Sequence, residues 1–245
     1  MLANSYFKFK QFTVHQQLCA MKVSTDSCIF GALAAQALAT RALYKNSSMQ
    51  AYLDIGAGTG FLSLMLAQKT TAAIEAVEID ADAYLQTIQN FKDSPFNKKL
   101  TIFNKNIILF DTGKKYDAII CNPPFYEQDL RSDNAGKNAA KHDTTLTLKQ
   151  LLQAIDRLLK PDGMFAILLP VKRVDYFISE ALEFNLFVKE KIIVKHSLLH
   201  PEFRGILFFT QDEVTVTSKE LIIKKEDGSY TTDFIDLLKD YYLHL

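Results

Sequence analysis

The chain has 245 residues, 48% of them hydrophobic, and its 28 basic side chains are balanced by 28 acidic ones. This length and composition predict a single folded domain with a core of ordinary size. The zero net charge excludes a global electrostatic field that attracts nucleic acid, so a nucleic-acid partner would need a local basic patch.

Strands and helices alternate through most of the chain, after an apolar helix predicted over residues 26–43. The predicted strands of this alternating part cover residues 51–56, 73–80, 100–107, 116–122 and 164–170. The predicted helices cover residues 61–68, 81–91, 148–159 and 173–184, and residues 160–163 form a helix stop and turn. Because the strands are almost continuously apolar, we expect a parallel sheet covered by helices on both faces.

The C-terminal part has a different pattern. Its predicted elements are strands over residues 187–196, 205–211 and 220–225 and an amphipathic helix over residues 233–245. The first two strands have no helix between them, so we expect them to pair antiparallel at one edge of the sheet. We interpret residues 1–245 as one domain with an N-terminal extension of about residues 1–45 and a closing C-terminal helix.

Cysteine usage and apolar runs indicate where the protein acts. The three cysteines form no Cys-x-x-Cys pair, which suggests neither a disulfide framework nor a zinc site. The N-terminus lacks the apolar core of a signal peptide, and no apolar run approaches the length of a membrane span. His196 and His200 have metal-ligand spacing but no obvious third ligand. We therefore expect a cytoplasmic protein without a membrane or metal partner.

A glycine-rich loop, Asp54-x-Gly56-x-Gly58-x-Gly60, lies between the first strand of the alternating part and its helix. The dinucleotide-binding fingerprint would need a glycine where this chain has Phe61, so it does not match. The glycines let the backbone pass close to a ligand, and amides at a helix N-terminus suit a carboxylate. Asp54 is placed to accept hydrogen bonds from the loop and from a ligand ammonium group.

Glu78 ends the second strand of the alternating part, about 20 residues after the glycine loop. An acid at this position is placed to accept both hydroxyls of a ribose. Asp80 lies two residues further on and is predicted to cap the next helix. The alternative is a glycine turn that only joins strand to helix, and the spacing of Glu78 favours the ligand site.

The segment Asn122-Pro123-Pro124-Phe125 directly follows the fourth strand, at the sheet edge beside the expected ligand crevice. The two prolines have no N–H, so the turn presents carbonyl acceptors and the Asn122 side chain. Such acceptors suit the two hydrogens of an aromatic amine and favour localisation of its lone pair, while Phe125 stacks on the ring. The alternative is a plain Asn-Pro turn followed by a core phenylalanine.

With these motifs the chain resembles the class I methyltransferases that carry an [N/D]-P-P-[F/Y/W] motif and act on amino groups of adenine, guanine or glutamine. It is most similar to the tRNA1(Val) (adenine(37)-N6)-methyltransferase family. Four segments carry the resemblance: FKFKQFTVHQQLCAMKVSTDSCIFGALA (7–34), DIGAGTGFLSLMLAQ (54–68), IICNPPFY (119–126) and YTTDFIDLLKDYYL (230–243). It implies an α/β, Rossmann-like fold with a mostly parallel seven-stranded sheet, an antiparallel edge strand and helices on both faces.

The resemblance also implies a cofactor, S-adenosylmethionine, and a substrate, the N6 amino group of a tRNA adenine. The residues implied around the cofactor are Asp54, Gly56, Gly58 and Gly60 at the methionine part, Glu78 at the ribose, and Lys22 and Thr25 in a segment that closes over it. Asn122 is also implied to bind the cofactor. Asn122 and the Pro123 carbonyl are implied to bind the target amine, with Phe125 stacked on the base.

One position departs from the family pattern. Relatives usually have aspartate followed by an apolar residue after the third strand, where the acid contacts the adenine amino group of the cofactor. This chain has Asn106-Ile107. The Asn106 side-chain oxygen still accepts such a bond, so we expect weaker charge assistance and retained binding.

Three alternatives to a tRNA adenine methyltransferase are open. Ribosomal RNA guanine methylation uses the same acceptor geometry. A protein glutamine methyltransferase of the release-factor kind usually has NPPY and a larger helical N-terminal domain, whereas fewer than sixty residues precede the glycine loop here. A non-catalytic binding protein that keeps the fold is disfavoured because Asp54, Glu78 and Asn122 are all present.

The expected partner is tRNA, bound by a monomer through local basic patches. Candidate patch residues are Arg131, Lys137, Lys141 and His142 in a polar stretch, Lys189, Lys191 and Lys195 on one strand, and Lys8 and Lys10 near the N-terminus. For each set the alternative is a solvated surface without RNA contacts.

Overall fold

The computed structural model of the protein describes residues 4–44, 50–123 and 146–245. Its strands are β1 (Tyr6–Lys8), β2 (Thr13–His15), β3 (Ala51–Ile55), β4 (Ala73–Glu78), β5 (Leu100–Asn104), β6 (Tyr116–Cys121), β7 (Leu159–Pro170), β8 (Phe187–Lys195), β9 (Glu202–Thr210) and β10 (Thr217–Ile222). Its helices are α1 (Thr25–Tyr44), α2 (Phe61–Lys69), α3 (Ala81–Asp93), α4 (Leu148–Leu158), α5 (Val174–Leu182) and α6 (Thr232–Leu238).

The main sheet has the strand order β10-β8-β9-β7-β6-β3-β4-β5, and β1 and β2 form a separate antiparallel hairpin. Every neighbouring pair in the main sheet is parallel except the two pairs that involve β9. The predicted α/β architecture with a mostly parallel sheet is therefore confirmed, as is the antiparallel pairing of β8 with β9. Parallel strands end at the same edge of a sheet, so the loops after β3, β4 and β6 are neighbours.

Two details of the sheet differ from the expectation. Within the described residues the sheet has eight strands and not seven, because β10 adds to β8 in parallel. The antiparallel strand is also not at the edge: β9 returns from β8 through a short connection and inserts between β8 and β7. This insertion satisfies both hydrogen-bonding sides of β9, and the edge position passes to β10.

Strand side chains alternate between two hydrophobic cores. Tyr52 and Ile120 belong to the core on the side of α1, α2 and α6, whereas Leu53 and Ile119 belong to the core under α4 and α5. All four side chains are almost fully buried. Each contributes roughly 1.5–3 kcal/mol relative to an exposed side chain. This two-sided burial explains why the strands lack a polar face in the sequence.

The predicted C-terminal helix over residues 233–245 is too long. Helix α6 ends at Leu238, and the residues after it bind the N-terminal hairpin and α2. The Lys10 amide donates to the Tyr241 carbonyl at 2.8 Å, and Gln68 Nε2 donates to the Asp240 carbonyl at 2.8 Å. These tertiary bonds compete with a further helical turn and fix the chain end against the body of the protein.

No helix in the described part of the chain combines the length and the apolar character needed to cross a membrane.

Candidate active site

The glycine loop connects β3 to α2 with three residues in the left-handed region. Gly56, Gly58 and Gly60 have φ values of +71°, +56° and +73°, which only glycine adopts without strain. A Cβ added at Gly56 or Gly58 would meet nothing within 4 Å, whereas one added at Gly60 would lie 2.6 Å from a ring carbon of Phe91. The first two glycines thus leave space for a ligand, and the third allows α3 to pack against the loop.

Asp54, at the end of β3, is completely buried. Its Oδ2 accepts hydrogen bonds from the Ser63 amide at 3.1 Å and the Ser63 hydroxyl at 2.7 Å. Its Oδ1 is buried without a hydrogen-bond partner among the described residues. Burial raises the pKa of this carboxyl to about 7, against the lowering effect of the Ser63 bonds, and Glu78 adds to the rise. A buried carboxylate oxygen that no described residue binds, beside a glycine loop, fits a ligand cation.

Glu78, at the end of β4, is held by two main-chain amides. Its Oε2 accepts from the Gly58 amide at 2.8 Å, and its Oε1 accepts from the Asp80 amide at 2.9 Å. A carboxylate has about four acceptor positions, so both oxygens retain capacity for a diol. The predicted cap is confirmed, because Asp80 Oδ1 accepts from the Ala83 amide at 2.8 Å at the start of α3.

Asn122 directly follows β6, which pairs with β3 in a register that places Cys121 opposite Ile55. Strand alternation puts Asn122 on the same sheet face as Asp54, whose register partner is Ile120. The Asn122 Oδ1 is also buried without a partner among the described residues. Two buried acceptors without partners among the described residues therefore lie at the ends of neighbouring strands, on one face of the sheet.

Only the first half of the segment Asn122-Pro123-Pro124-Phe125 lies within the described residues. Pro123 is buried next to Asn122. Phe125, predicted to stack on the target base, lies outside the described residues, as do Arg131, Lys137, Lys141 and His142 of the polar stretch. Their roles stay predictions.

The predicted strand over residues 100–107 is too long. β5 ends at Asn104, and Asn106 lies in the turn that follows it. Its Oδ1 accepts a hydrogen bond from the Ile108 amide at 3.0 Å, which closes a local turn. Asn104, the last residue of β5, donates through Nδ2 to the Glu78 carbonyl at 2.9 Å. One lone pair of the Asn106 oxygen is therefore used locally, and its contact with a cofactor stays a prediction.

Lys22 and Thr25 have partners within the protein. The Lys22 ammonium donates to the Gln16 carbonyl and, at 2.9 Å, to the Cys19 carbonyl. Thr25 begins α1 and shares a side-chain hydrogen bond with Tyr242. Lys22 thus joins the two ends of residues 16–22 by hydrogen bonds, and Thr25 connects α1 to Tyr242 near the C-terminus.

Cys19 locates this segment relative to the glycine loop. Burial raises the pKa of the Cys19 thiol to about 11, with a lowering contribution from Lys22 and raising contributions from Glu78 and Asp80. Leu18, the residue before Cys19, donates its amide to Gln86 Oε1 on α3 at 3.3 Å, and α3 begins three residues after Glu78. The chain around Cys19 therefore lies beside the end of β4.

Sequence reasoning missed three buried polar residues on α3: Gln86, Thr87 and Asn90. Thr87 Oγ1 donates to the Gly58 carbonyl at 2.7 Å. Asn90 Nδ2 donates to the Thr59 carbonyl at 2.8 Å. The sequence did contain a signal for them. The three residues are spaced so that they share one face of α3, and they stand where apolar residues are expected if that face packs against the protein.

The His196 and His200 pair has a packing explanation. The His196 ring stacks on Phe203 with a centroid distance of 4.2 Å and an interplanar angle of 6°. His200 Nδ1 is 2.8 Å from the Ser197 hydroxyl. Within residues 4–44, 50–123 and 146–245, no group of three or more His, Cys, Asp or Glu side chains is arranged to hold a metal ion.

Known proteins resemble this chain along its whole length. A family model described as the methyltransferase small domain matches residues 21–173. A Dyadobacter fermentans protein is 42% identical over 245 residues, which cover 98% of each chain, and a Cytophaga hutchinsonii protein is 36% identical over 250 residues, which cover 100% of each. Both are named tRNA1(Val) (adenine(37)-N6)-methyltransferase.

A solved structure shares the fold. It is that of a predicted O-methyltransferase from Agrobacterium tumefaciens, with a TM-score of 0.65 and 14% identity over 88% of this chain and 96% of the other. At this identity the likeness extends to the fold and not to the substrate.

Proposed function

Because the chain belongs to the family of tRNA1(Val) (adenine(37)-N6)-methyltransferases, we propose that it transfers a methyl group from S-adenosylmethionine to the N6 amino group of a tRNA adenine, adenine 37 of tRNA1(Val). The observation that carries this proposal is the pair of buried oxygens without partners among the described residues, Asp54 Oδ1 and Asn122 Oδ1. One suits a cationic amine of the cofactor, and the other suits a neutral amine of the substrate.

The cofactor groups match the groups around the glycine loop. Asp54 Oδ1 would accept from the ammonium of the methionine part, and the space beside Gly56 and Gly58 would admit its main chain. Glu78 would accept the ribose hydroxyls through oxygens that two backbone amides already orient. Lys22 and Thr25 would contribute through the segment they anchor, and Asn106 through its second lone pair.

When bound, S-adenosylmethionine supplies a methyl group on an activated sulfonium. Asn122 Oδ1 would accept one hydrogen of the substrate amine, and the Pro123 carbonyl would accept the other. Two acceptors in fixed positions hold the amine and favour localisation of its lone pair toward the methyl group. The methylated nitrogen then releases its surplus proton to water. Phe125 would fix the plane of the base by stacking.

Positioning and electrostatics account for most of the rate in this scheme. Asn122 is a neutral amide, so it orients the amine without taking its proton. Removal of one preorganised hydrogen-bonding group at a reacting centre typically lowers kcat about 10²–10³-fold. The scheme therefore needs no general base with a shifted pKa.

The tRNA would reach Asn122 along the sheet edge where the parallel strands end. Of the lysines expected to contact RNA, Lys191 is paired with Asp175 and Lys195 with Glu220. Their charges are partly neutralised, and we give them less weight. Lysines that directly follow β7 and β10 lie at the same edge as Asn122, and we include them in the proposed patch: Lys172, Lys224 and Lys225.

We also propose that the protein acts as a monomer in the cytoplasm. Each group assigned to the cofactor or the amine comes from one chain, and tRNA is processed and used in the cytoplasm.

The test combines labelled S-adenosylmethionine with three acceptors: unmodified tRNA, unmodified ribosomal RNA and a release factor. We expect label only in tRNA, recovered as N6-methyladenosine by mass spectrometry of digested nucleosides. Labelled guanine in ribosomal RNA or labelled glutamine in the release factor, without labelled tRNA, would overturn the substrate assignment. Cofactor binding without transfer to any acceptor would favour the non-catalytic alternative.

A further inference from the structure

Helix α3 presents a buried polar face to two different parts of the chain. Gln86 and Thr87 precede Asn90 by four and three residues, so the three side chains share one side of the helix. Thr87 contacts the glycine loop, and Gln86 Oε1 accepts from the Leu18 amide at 3.3 Å in the N-terminal extension. Asn90 contacts both.

The Asn90 side chain uses all of its hydrogen-bonding groups in this position. Its Oδ1 accepts from the His15 amide at 2.9 Å. Its Nδ2 donates to the His15 carbonyl at 2.8 Å and to the Thr59 carbonyl at 2.8 Å. The side chain is fully buried. The Asn90 amide forms the same pair of hydrogen bonds with the His15 main chain as a neighbouring strand would. Its second N–H binds the glycine loop at the Thr59 carbonyl.

The bonds from α3 orient the loop. Thr87 and Asn90 bind two successive carbonyls, those of Gly58 and Thr59, on the α3 side. In a trans peptide the C=O and the next N–H point in opposite directions. Binding the Gly58 carbonyl to α3 therefore turns the Thr59 amide away from α3.

The same helix holds residues 15–22 beside the ribose end of the proposed site. His15 is bound by Asn90 and Leu18 by Gln86, and Lys22 closes the segment on the Gln16 and Cys19 carbonyls. Because α3 begins three residues after Glu78, the segment that Gln86 and Asn90 hold lies close to the end of β4.

We propose that Asn90 is a positioning residue for the cofactor, which sets the glycine loop and residues 15–22 at a fixed separation so that both contact the ligand. This inference rests on the proposed function, because it assumes that S-adenosylmethionine binds between these two parts. Asn90 itself touches neither the cofactor nor the substrate. Its effect is on cofactor affinity and not on the methyl-transfer step.

The test is Asn90→Ala, which leaves the His15 amide and the His15 and Thr59 carbonyls without their partner. We expect the Kd for S-adenosylhomocysteine, measured by calorimetry, to rise at least about tenfold, since each lost hydrogen bond weakens the arrangement severalfold. At saturating cofactor, kcat should change less than about twofold, and the KM for tRNA should stay unchanged. Thr87→Val, which keeps side-chain shape and loses only the bond to Gly58, should raise the same Kd about threefold and serves if Asn90→Ala does not fold.

Ser94→Ala is the matched control. Ser94 lies at the end of the same helix, is buried and makes two local hydrogen bonds, to the Phe91 carbonyl at 2.8 Å and from the Phe96 amide at 3.2 Å. It should lower the melting temperature without changing the Kd. A second readout is labelling of Cys19 by a thiol reagent, which should speed up in Asn90→Ala and slow down when S-adenosylhomocysteine is bound.

The outcomes separate this inference from the proposed function. Wild-type binding and tRNA methylation with an unchanged Kd in Asn90→Ala would overturn the inference alone. An equal rise of Kd in Ser94→Ala would do the same, because it would mean that general destabilisation is the cause. A wild-type protein that binds no S-adenosylhomocysteine would overturn the proposed function and the inference with it.

Discussion

Replacing Asp54 with asparagine should make the protein more stable and unable to hold the cofactor. Burial raises the pKa of Asp54 in the folded protein to about 7, whereas an unfolded aspartate titrates near 3.8. Between these values the folded state binds the proton more tightly, so stability falls as the pH rises from about 4 to about 7 and stays at its lower level above that. At pH 8 a shift of this size corresponds to about 4 kcal/mol of destabilisation.

Asp54→Asn has no such charge to bury, and its side-chain oxygen still accepts from Ser63. We expect urea denaturation to show a more stable variant at pH 8 by up to about 4 kcal/mol, with an advantage that shrinks toward zero at pH 4. The lost group is the one proposed to bind the cofactor ammonium. Calorimetry with S-adenosylhomocysteine should therefore detect no binding by the variant at any pH.

The wild-type protein should bind the cofactor more tightly as the pH rises. With a pKa of about 7, roughly one Asp54 in ten is ionised at pH 6 and roughly nine in ten at pH 8. If only the ionised form binds the ammonium, the Kd for S-adenosylhomocysteine should fall about tenfold over this range. The raised pKa of Asp54 makes the folded protein more stable at pH 6 than at pH 8. Unfolding therefore does not explain weaker cofactor binding at pH 6.

Two results would refute this reasoning. A Kd that is flat between pH 6 and pH 8 would mean that Asp54 does not titrate there or does not meet the ammonium. Binding by Asp54→Asn at the wild-type Kd would mean that the unpartnered oxygen has another purpose.

Three further changes test other parts of the site. Asn122→Ala should lower single-turnover methylation about 10²–10³-fold while the Kd for S-adenosylhomocysteine changes less than about twofold; equal losses of both would contradict a role toward the substrate amine. Gly60→Ala should cost more stability in urea than Gly113→Ala, by about 1–3 kcal/mol, because both have positive φ but only Gly60 lacks room for a Cβ; equal costs would mean that the loop adjusts. Arg157→Ala removes donations at 2.6 Å to the Phe110 carbonyl and at 3.1 Å to the Ile107 carbonyl, and should raise the Kd for S-adenosylhomocysteine severalfold if the turn after β5 contacts the cofactor; an unchanged Kd would exclude this turn from the site.

Much of the site was predictable because it depends on local rules. The glycine loop requires positive φ at three positions, and Gly56, Gly58 and Gly60 all have it. The ends of parallel strands must meet at one edge, which brings Glu78 and Asn122 to the loop. These features follow from spacing along the chain and from the rules of parallel sheets.

Tertiary hydrogen bonds explain the features that the sequence did not predict. The amphipathic pattern of residues 233–245 continues past Leu238, but the carbonyls of Asp240 and Tyr241 are bound by other parts of the chain. Asn90 looked like an ordinary polar helix residue, since nothing in its local sequence indicates that residue 15 and residue 59 meet at its side chain. Partners distant in sequence were not derivable from one chain without its fold.

Asp54 Oδ1 and Asn122 Oδ1, the two oxygens that no described residue binds, differ in charge, and this difference indicates why each residue type stands at its position. In the proposed site Asp54 must ionise to attract an ammonium, and Glu78, at the end of the neighbouring strand β4, already adds to the rise of its pKa. A carboxylate in place of Asn122 would oppose that ionisation and raise the pKa of Asp54 further. The amide oxygen of Asn122 offers the same kind of acceptor to a substrate amine without that charge. In the proposed site, a charged acceptor for the cofactor and a neutral acceptor for the substrate therefore lie at one buried edge without weakening each other.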